Sequence, residues 1–220
     1  MAGLEAHMIL ETRAVAPFMK NGFVLGCEET REGVVIDPGD DVDLLLAAVA
    51  RHKLSIRYIL LTHAHLDHIT GVGRAREALG APSVLHMDDN VLYEAVVQQG
   101  RMFGFDVEPQ PPVDRFYDGP GPWTFGRYAA WVYHTPGHCP GGVCLAVGRE
   151  GSAERTLFVG DTLFAGSIGR TDLPGGSLPT LLRSIRDVLF SFPDETAVYS
   201  GHGEVTTIGQ ERRTNPFLVP

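Results

Sequence analysis

The chain reads as short apolar strands separated by stretches of helical period. "HMILETRAVA", "GFVLGC" and "GVVIDPG" predict three strands, the last stopped by Asp37, Pro38 and Gly39. "DDVDLLLAAVARH" carries apolar residues at helical spacing with Asp41 near its start, which predicts an amphipathic helix capped by a carboxylate. A buried strand in "IRYILLT", a helix in "ITGVGRAREALG", a strand in "SVLHM" and a third helix from near Asp88 follow. Residues 100–122, rich in Pro, Gly and Asp, predict a long ordered loop or lid, because the regular pattern resumes beyond them. "YAAWVYHT", "GVCLAVG" and "TLFVGD" then predict three strands. "SLPTLLRSIRDVLFSF" predicts a helix with its proline in the tolerated first turn, and "TAVYSGHG" a last strand. Two successive β-rich halves, each with metal-type residues at strand ends, point to a two-fold internal architecture.

Composition adds limits to this pattern. A chain of 220 residues with no linker-like stretch is expected to form one domain over residues 1–220. With 44% apolar and 20% charged residues it has the make-up of a soluble protein. No apolar stretch approaches the roughly 20 residues that span a bilayer, so no membrane association is expected. The start "MAGLEAHMIL" has neither a basic beginning nor a long apolar run, which makes the cytoplasm the default location. Three cysteines, Cys27, Cys139 and Cys144, are an odd number and fit thiols in a reducing compartment. A net charge of −9 with no Lys/Arg run disfavours nucleic acid as a partner and leaves a small molecule as the expected substrate.

The chemistry concentrates in "THAHLDH", residues 62–68, directly after a strand. In extended backbone, residues two apart point the same way, so His63 and His65 can converge on one ion while Asp67 and His68 begin the next turn and face elsewhere. Further candidates also follow strands: His138 after "WVYHTPG", Asp161 after "TLFVG" and His202 after "AVYSG". Loops at one edge of a sheet can converge on one cleft. Imidazole and carboxylate ligands suit zinc, manganese or iron(II), and two such ions about 3.5–4 Å apart can hold a nucleophilic hydroxide between them. His7, His52 and His86 have no ligand company in the sequence. Asp37 reads equally as a residue orienting a metal-bound histidine or as a turn residue ending its strand.

The order "THAHLDH", "TPGHCPGG", "VGDTLFAGSIGRTDLPGG", "SGHG" resembles the metallo-β-lactamase superfamily, and within it the single-domain bacterial glyoxalase II-like hydrolases. The resemblance covers nearly the whole chain, from "VIDPG" through "RMFG" to "GQERRTNPF". It implies an α/β fold, the four-layer αβ/βα sandwich. It assigns His63, His65 and His138 to a first metal and Asp67, His68 and His202 to a second, with Asp161 bridging them. Asp67 and Asp161 are then the catalytic carboxylates. The cofactors are two divalent ions, zinc first, with iron(II) and manganese as alternatives.

A thioester suits such a site, since a thiol of pKa about 8.5 leaves as a thiolate, whereas an amide nitrogen needs a proton donor. The expected reaction is hydrolysis of a glutathione thioester such as S-D-lactoylglutathione by attack of the metal-bridging hydroxide. Long glyoxalase II proteins carry a further helical domain that contacts glutathione. Here Gly203–Pro220 follow His202, which sets glutathione recognition apart from that of the long proteins; Arg101 in "GRMFG" and Arg170 in "GRTD" are the candidates for contacting an anionic substrate. For Arg170 the rival expectation is a buried ion pair with Asp172. The alternative function is that of a persulfide dioxygenase, which resembles the chain in the same motifs and uses one iron(II) in the arrangement of His63, His138 and Asp161. Cys139, beside His138, is expected to be a thiol rather than a metal-bound thiolate.

Overall fold

In the computed structural model, which describes residues 8–15, 18–39 and 42–219, strands form where alternation is sustained. The first half supplies β1 (Met8–Val15), β2 (Lys20–Cys27), β3 (Glu32–Ile36), β4 (Ser55–Leu60), β5 (Ser83–Leu85) and β6 (Arg115–Phe116), hydrogen-bonded in chain order into one sheet. β1 to β3 run antiparallel, and β3 to β6 run parallel. The crossovers between the parallel strands hold α1 (Val42–His52), α2 (Leu66–Ile69), α3 (Val72–Leu79), α4 (Asn90–Glu94) and α5 (Val96–Phe103).

The second half supplies β7 (Trp123–Phe125), β8 (Tyr128–His134), β9 (Val143–Arg149), β10 (Thr156–Phe158), a separate hairpin of β11 (Leu163–Phe164) and β12 (Ser167–Ile168), α6 (Leu178–Asp187), β13 (Ala197–Tyr199), β14 (Thr206–Thr207) and α7 (Ile208–Thr214). Its six-stranded sheet has the order β14-β13-β10-β9-β8-β7.

Alternation sorts the side chains into layers. Phe23, Leu25, Val34 and Ile36 face the second sheet and pack with Phe125, Val132, Leu145, Val147 and Phe158. Their neighbours Val24 and Val35 point outward to Leu45, Ala48 and Val49 of α1, Val72 and Ala75 of α3, and Val96 of α5. On the far side Cys144, Ala146 and Leu157 meet Leu181 and Ile185 of α6 and Ile208 of α7. Each Val, Leu, Ile or Phe among them contributes roughly 1.5–3 kcal/mol by leaving water. The outcome is the expected αβ/βα sandwich, with one sheet and its helices from each half.

Several elements differ from the pattern-based expectation. The third helix is broken at Ala95 into α4 and α5, and α5 runs on to Phe103 before Gly104 closes it in the left-handed region at φ 78°. The stretch 100–122 is therefore partly helical and includes β6, rather than being all loop. "TAVYSGHG" is not the last element. β14 and α7 follow it, and Thr207 caps α7 by accepting from Gln210 N at 3.2 Å. The proposed cap Asp41 and His7 lie outside the described residues. No helix among the described residues is long and apolar enough to cross a membrane.

Strand direction fixes where the chemistry gathers. β3, β4 and β5 are parallel, so the residues after them share one edge. β8 and β10 are both antiparallel to β9, and β13 is parallel to β10, so these three also end at one edge. Val143 N donates to Thr62 O at 2.8 Å and Asn21 N to Gly201 O at 2.6 Å, joining the two edges.

Candidate metal centre

Two groups of ligand-type side chains form where those edges meet. The nitrogens of His63, His65 and His138 lie within 4.8 Å of one another, and so do ligand atoms of Asp67, His68 and His202. The division follows from the backbone, since His65 is extended at φ −72°, ψ 150°, and Leu66 starts α2, which turns Asp67 and His68 away from His63. Asp161 stands between the groups. One carboxylate oxygen is 3.4 Å from His68 Nε2, and the other is 3.7 Å from His138 Nε2 and 3.6 Å from His202 Nε2. All seven residues expected from the sequence therefore meet in one place.

The inward nitrogens are set by what holds the outward ones. His68 Nδ1 faces Asp37 Oδ2 at 2.9 Å, His138 Nδ1 donates to Arg170 O at 2.7 Å, and His202 Nδ1 donates to Phe18 O at 3.2 Å. Thr62 Oγ1 lies 3.1 Å from His63 Nδ1. Each of these rings thus presents Nε2 to the centre, while His65 presents Nδ1, 2.8 Å from His138 Nε2. Asp37 is both of the things its position allowed. It ends β3, and its buried carboxylate also accepts from Thr62 N at 2.7 Å and Thr62 Oγ1 at 2.6 Å while it orients His68.

Burial drives the His63 imidazole well below the usual histidine value, with His68 and His138 adding repulsion. Burial, then His138, also holds His65 down at about 3. His68 goes the other way. Burial acts to lower it, but the carboxylates of Asp67, Asp161 and Asp37 push it up to about 10. For Asp161 burial acts upward, and the neighbouring His68, His138 and His202 outweigh it, holding the carboxyl well below the usual range. Neutral rings, a cationic ring and ionised carboxylates thus crowd together here, each shifted by burial and by its neighbours.

The donor set fits metal ions. Among the described residues, His63 Nε2, His68 Nε2 and Asp161 Oδ1 are buried polar atoms without a hydrogen bond, and all three point into this centre. Five imidazoles and two carboxylates suit a dinuclear site for borderline divalent ions. The sequence pattern of the metallo-beta-lactamase superfamily runs through residues 16–202.

The chain belongs to the metallo-beta-lactamase superfamily.

Within this superfamily of metallo-hydrolases, hydroxyacylglutathione hydrolase GloC of Haemophilus influenzae is 34% identical over 214 residues, 96% of this chain and 98% of that protein. The solved structure of the BLEG-1 B3 metallo-beta-lactamase is 38% identical, with a TM-score of 0.87 over 96% of this chain and all (100%) of that one. TTHA1623 in a di-iron-bound form is 40% identical, with a TM-score of 0.82 over 94% of this chain and 100% of that one. ETHE1 from Myxococcus xanthus is 30% identical, with a TM-score of 0.78 over 95% of this chain and 84% of that one.

Other candidates fall around this metallo-beta-lactamase centre. Arg101 is exposed on α5, the helix whose Gln99 reaches the "THAHLDH" loop by donating to Ala64 O at 2.9 Å and accepting from Leu66 N at 3.0 Å. Gln99 was invisible in the sequence, since a glutamine on a helix carries no signal of what it braces. Arg170 makes a two-pronged pair with Asp172, both bonds 2.7 Å, and the pair is exposed rather than buried. Arg170 serves the centre through its backbone carbonyl on His138. His52 bonds Glu11 at 2.6 Å. His86 does have ligand company: it stacks on His134 at 4.2 Å and 12°, with Asp88 beside them. Two of these ring nitrogens are already engaged, His134 Nε2 with Pro140 O at 2.8 Å and His86 Nδ1 with Asp88 N at 3.3 Å. Cys139 Sγ donates to Asp89 Oδ2 at 3.2 Å, and burial followed by the Asp89 charge keeps this thiol protonated.

Proposed function

We propose that the protein hydrolyses a glutathione thioester such as S-D-lactoylglutathione, with His63, His65 and His138 holding one divalent metal, Asp67, His68 and His202 a second, and Asp161 shared between them. The observation that carries this reading is Asp161, a half-buried carboxylate with one oxygen fully enclosed, facing histidines of both groups at 3.4–3.7 Å. When bound, the metals supply Lewis acidity toward a carbonyl and lower the pKa of a water toward neutrality. The chain's own residues supply the rest. Asp37, Arg170 O and Phe18 O hold three imidazoles in the tautomer that leaves Nε2 free. Asp67, 3.1 Å from His202 Nε2 and partly exposed, is the carboxylate proposed to orient a water and accept its proton. A thiolate departs without protonation, which suits a centre whose inward atoms are nearly all acceptors. Arg101 is the cation proposed to meet the anionic thiol half, since Asp172 already balances Arg170.

The likeness to GloC supports the same reading. Likeness to ETHE1 keeps a second one: oxidation of a persulfide at a single iron held by His63, His138 and Asp161. Metal analysis with two assays separates them. Two zinc, iron or manganese per chain with turnover of S-D-lactoylglutathione is the expected result. One iron per chain with oxygen consumption on glutathione persulfide would overturn it in favour of the second reading, and rapid opening of a β-lactam without thioester turnover would overturn both.

A further inference from the structure

The last residue of the 3₁₀ turn Met87–Asp89 is a fully buried carboxylate that belongs to neither metal group. Asp89 Oδ2 accepts from Ala64 N at 2.9 Å and from Cys139 Sγ at 3.2 Å, and Oδ1 accepts from Gly141 N at 2.5 Å. Ala64 lies between His63 and His65. Cys139 and Gly141 follow His138. One side chain therefore ties together the two loops that carry the three histidines of the first group, bonding beside those histidines, and among the described contacts it makes no bond to Asp67, to His68 or to the His202 loop.

The fit leaves no slack. A Cβ on Gly141 would stand 2.6 Å from Asp89 N and 2.8 Å from its Cβ, so the His138 loop is pressed onto Asp89. On the other side Gln99 donates to Ala64 O at 2.9 Å, so the peptide groups flanking Ala64 are held at both a donor and an acceptor. A buried carboxylate is stable only where donors surround it, and three donors from two loops meet that need without a cation.

We propose that Asp89 is a positioning residue for the first metal group, fixing the spacing of His63 and His65 against His138 through Ala64, Cys139 and Gly141. The proposal rests on reading those three histidines as a metal group and is independent of the substrate. Asp89→Asn keeps the shape but puts an NH₂ against either Gly141 N or the Ala64 N and Cys139 pair, so one anchored loop loses its acceptor. Loss of such an outer partner typically weakens a metal site about 10–100-fold.

The test is zinc titration of the metal-free full chain, read by chelator competition and by the histidine ring ¹⁵N signals, without substrate. Asp89→Asn is expected to weaken zinc at His63, His65 and His138 by about 10–100-fold while leaving His68 and His202 as in the wild type. Cys139→Ser, which keeps a donor to Asp89, is expected to retain wild-type affinity, and Cys139→Val to weaken the first group alone. These Cys139 variants keep the question open to measurement if Asp89→Asn does not fold. Equal weakening of both groups, unchanged affinity in Asp89→Asn, or Ser and Val behaving alike at Cys139 would each overturn the proposal. If the wild-type chain takes up no zinc, the reading of the centre fails and the proposal with it. Normal zinc uptake without thioester turnover would overturn only the substrate.

Discussion

Replacing Asp37 by Asn tests how a single proton location controls the second metal group. Asp37 sits at φ 46°, a left-handed conformation that Asn tolerates best among side chains, so the backbone cost of the exchange is small. Thr62 N is a fixed donor 2.7 Å from Oδ1 and forces the new amide oxygen to that side. The NH₂ then faces Thr62 Oγ1, which can turn to accept, and His68 Nδ1, which now must accept as well. That moves the ring proton of neutral His68 to Nε2, the atom otherwise aimed at Asp67 and Asp161 at 3.7 and 3.4 Å. A protonated Nε2 cannot ligate. Restoring the ligand form leaves an N–H against an N–H, at a cost of about 10–100-fold in affinity, or roughly 1.4–2.8 kcal/mol. Chelator competition on the metal-free chain gives the affinities, and ¹⁵N spectra of the imidazoles, recorded above the pH near 10 at which His68 becomes neutral, give its tautomer. The expected result is a weakened second group, an unchanged first group and an Nε2–H tautomer. Second-group affinity equal to wild type, or a His68 that keeps its proton on Nδ1, would refute the reasoning.

Three further outcomes are expected. In the metal-free protein His68 is raised from 6.5 to about 10, against burial, by Asp67, Asp161 and Asp37, so its stabilisation is full below about 6.5 and is lost as pH rises toward 10. His65 is lowered to about 3 by burial and His138, so its contribution is present above 6.5 and lost as pH falls. Melting temperature after chelation should therefore peak near 6.5, and a flat profile from 6.5 to 9 would contradict the assignment. Arg101→Ala should raise KM for an anionic thioester up to about fivefold, in line with an exposed ion pair of at most about 1 kcal/mol, with kcat nearly unchanged. An unchanged KM removes Arg101 from the substrate path. Gly201→Ala puts a methyl onto Asp161 Oδ1 and within 2.7 Å of His68 Cε1, so zinc stoichiometry should fall below two per chain, and full occupancy would show that the loop yields.

Much of the centre was legible because extended backbone has a period of two and α2 starts at Leu66. His63, His65, Asp67 and His68 could be divided between two ions from spacing alone. The strands that bury both faces were equally readable, as in "GFVLGC", where Phe23 and Leu25 face one layer and Val24 another. What failed to show was short or polar. β11, β12 and β14 have two residues each, too few to display any period, and α7 in "IGQERRT" is polar enough to pass for a tail. The reach of side chains across the fold was hidden as well. Gln99 acts on a loop 35 residues away in sequence, and Asp89 on Gly141 at a separation of 52. Asp89 was accessible only as an acid just after the strand "SVLHM", a position where a turn residue is the ordinary reading.

The sheet order explains why two buried carboxylates divide the work. β4, which leads into the histidine loop, lies between β3 and β5, and all three are parallel. The residues following β3 and β5 therefore flank that loop from opposite sides, and each flank carries an aspartate: Asp37 on one, Asp89 on the other. Asp37 bonds Thr62 and His68, at the start of the loop and its second group. Asp89 bonds Ala64 and then crosses to the His138 loop of the other half. Three neighbouring strand ends thus hold a loop that carries two ligand-type side chains of each group. The paired aspartates brace that one strand end from both sides, Asp37 through Thr62 and His68 and Asp89 through Ala64. If the parallel order is what assigns these roles, Asp37→Asn and Asp89→Asn affect different metals and their losses in zinc affinity should add. A double variant whose loss falls well short of that sum would mean the two carboxylates act on one shared group, against the division drawn from the strand order.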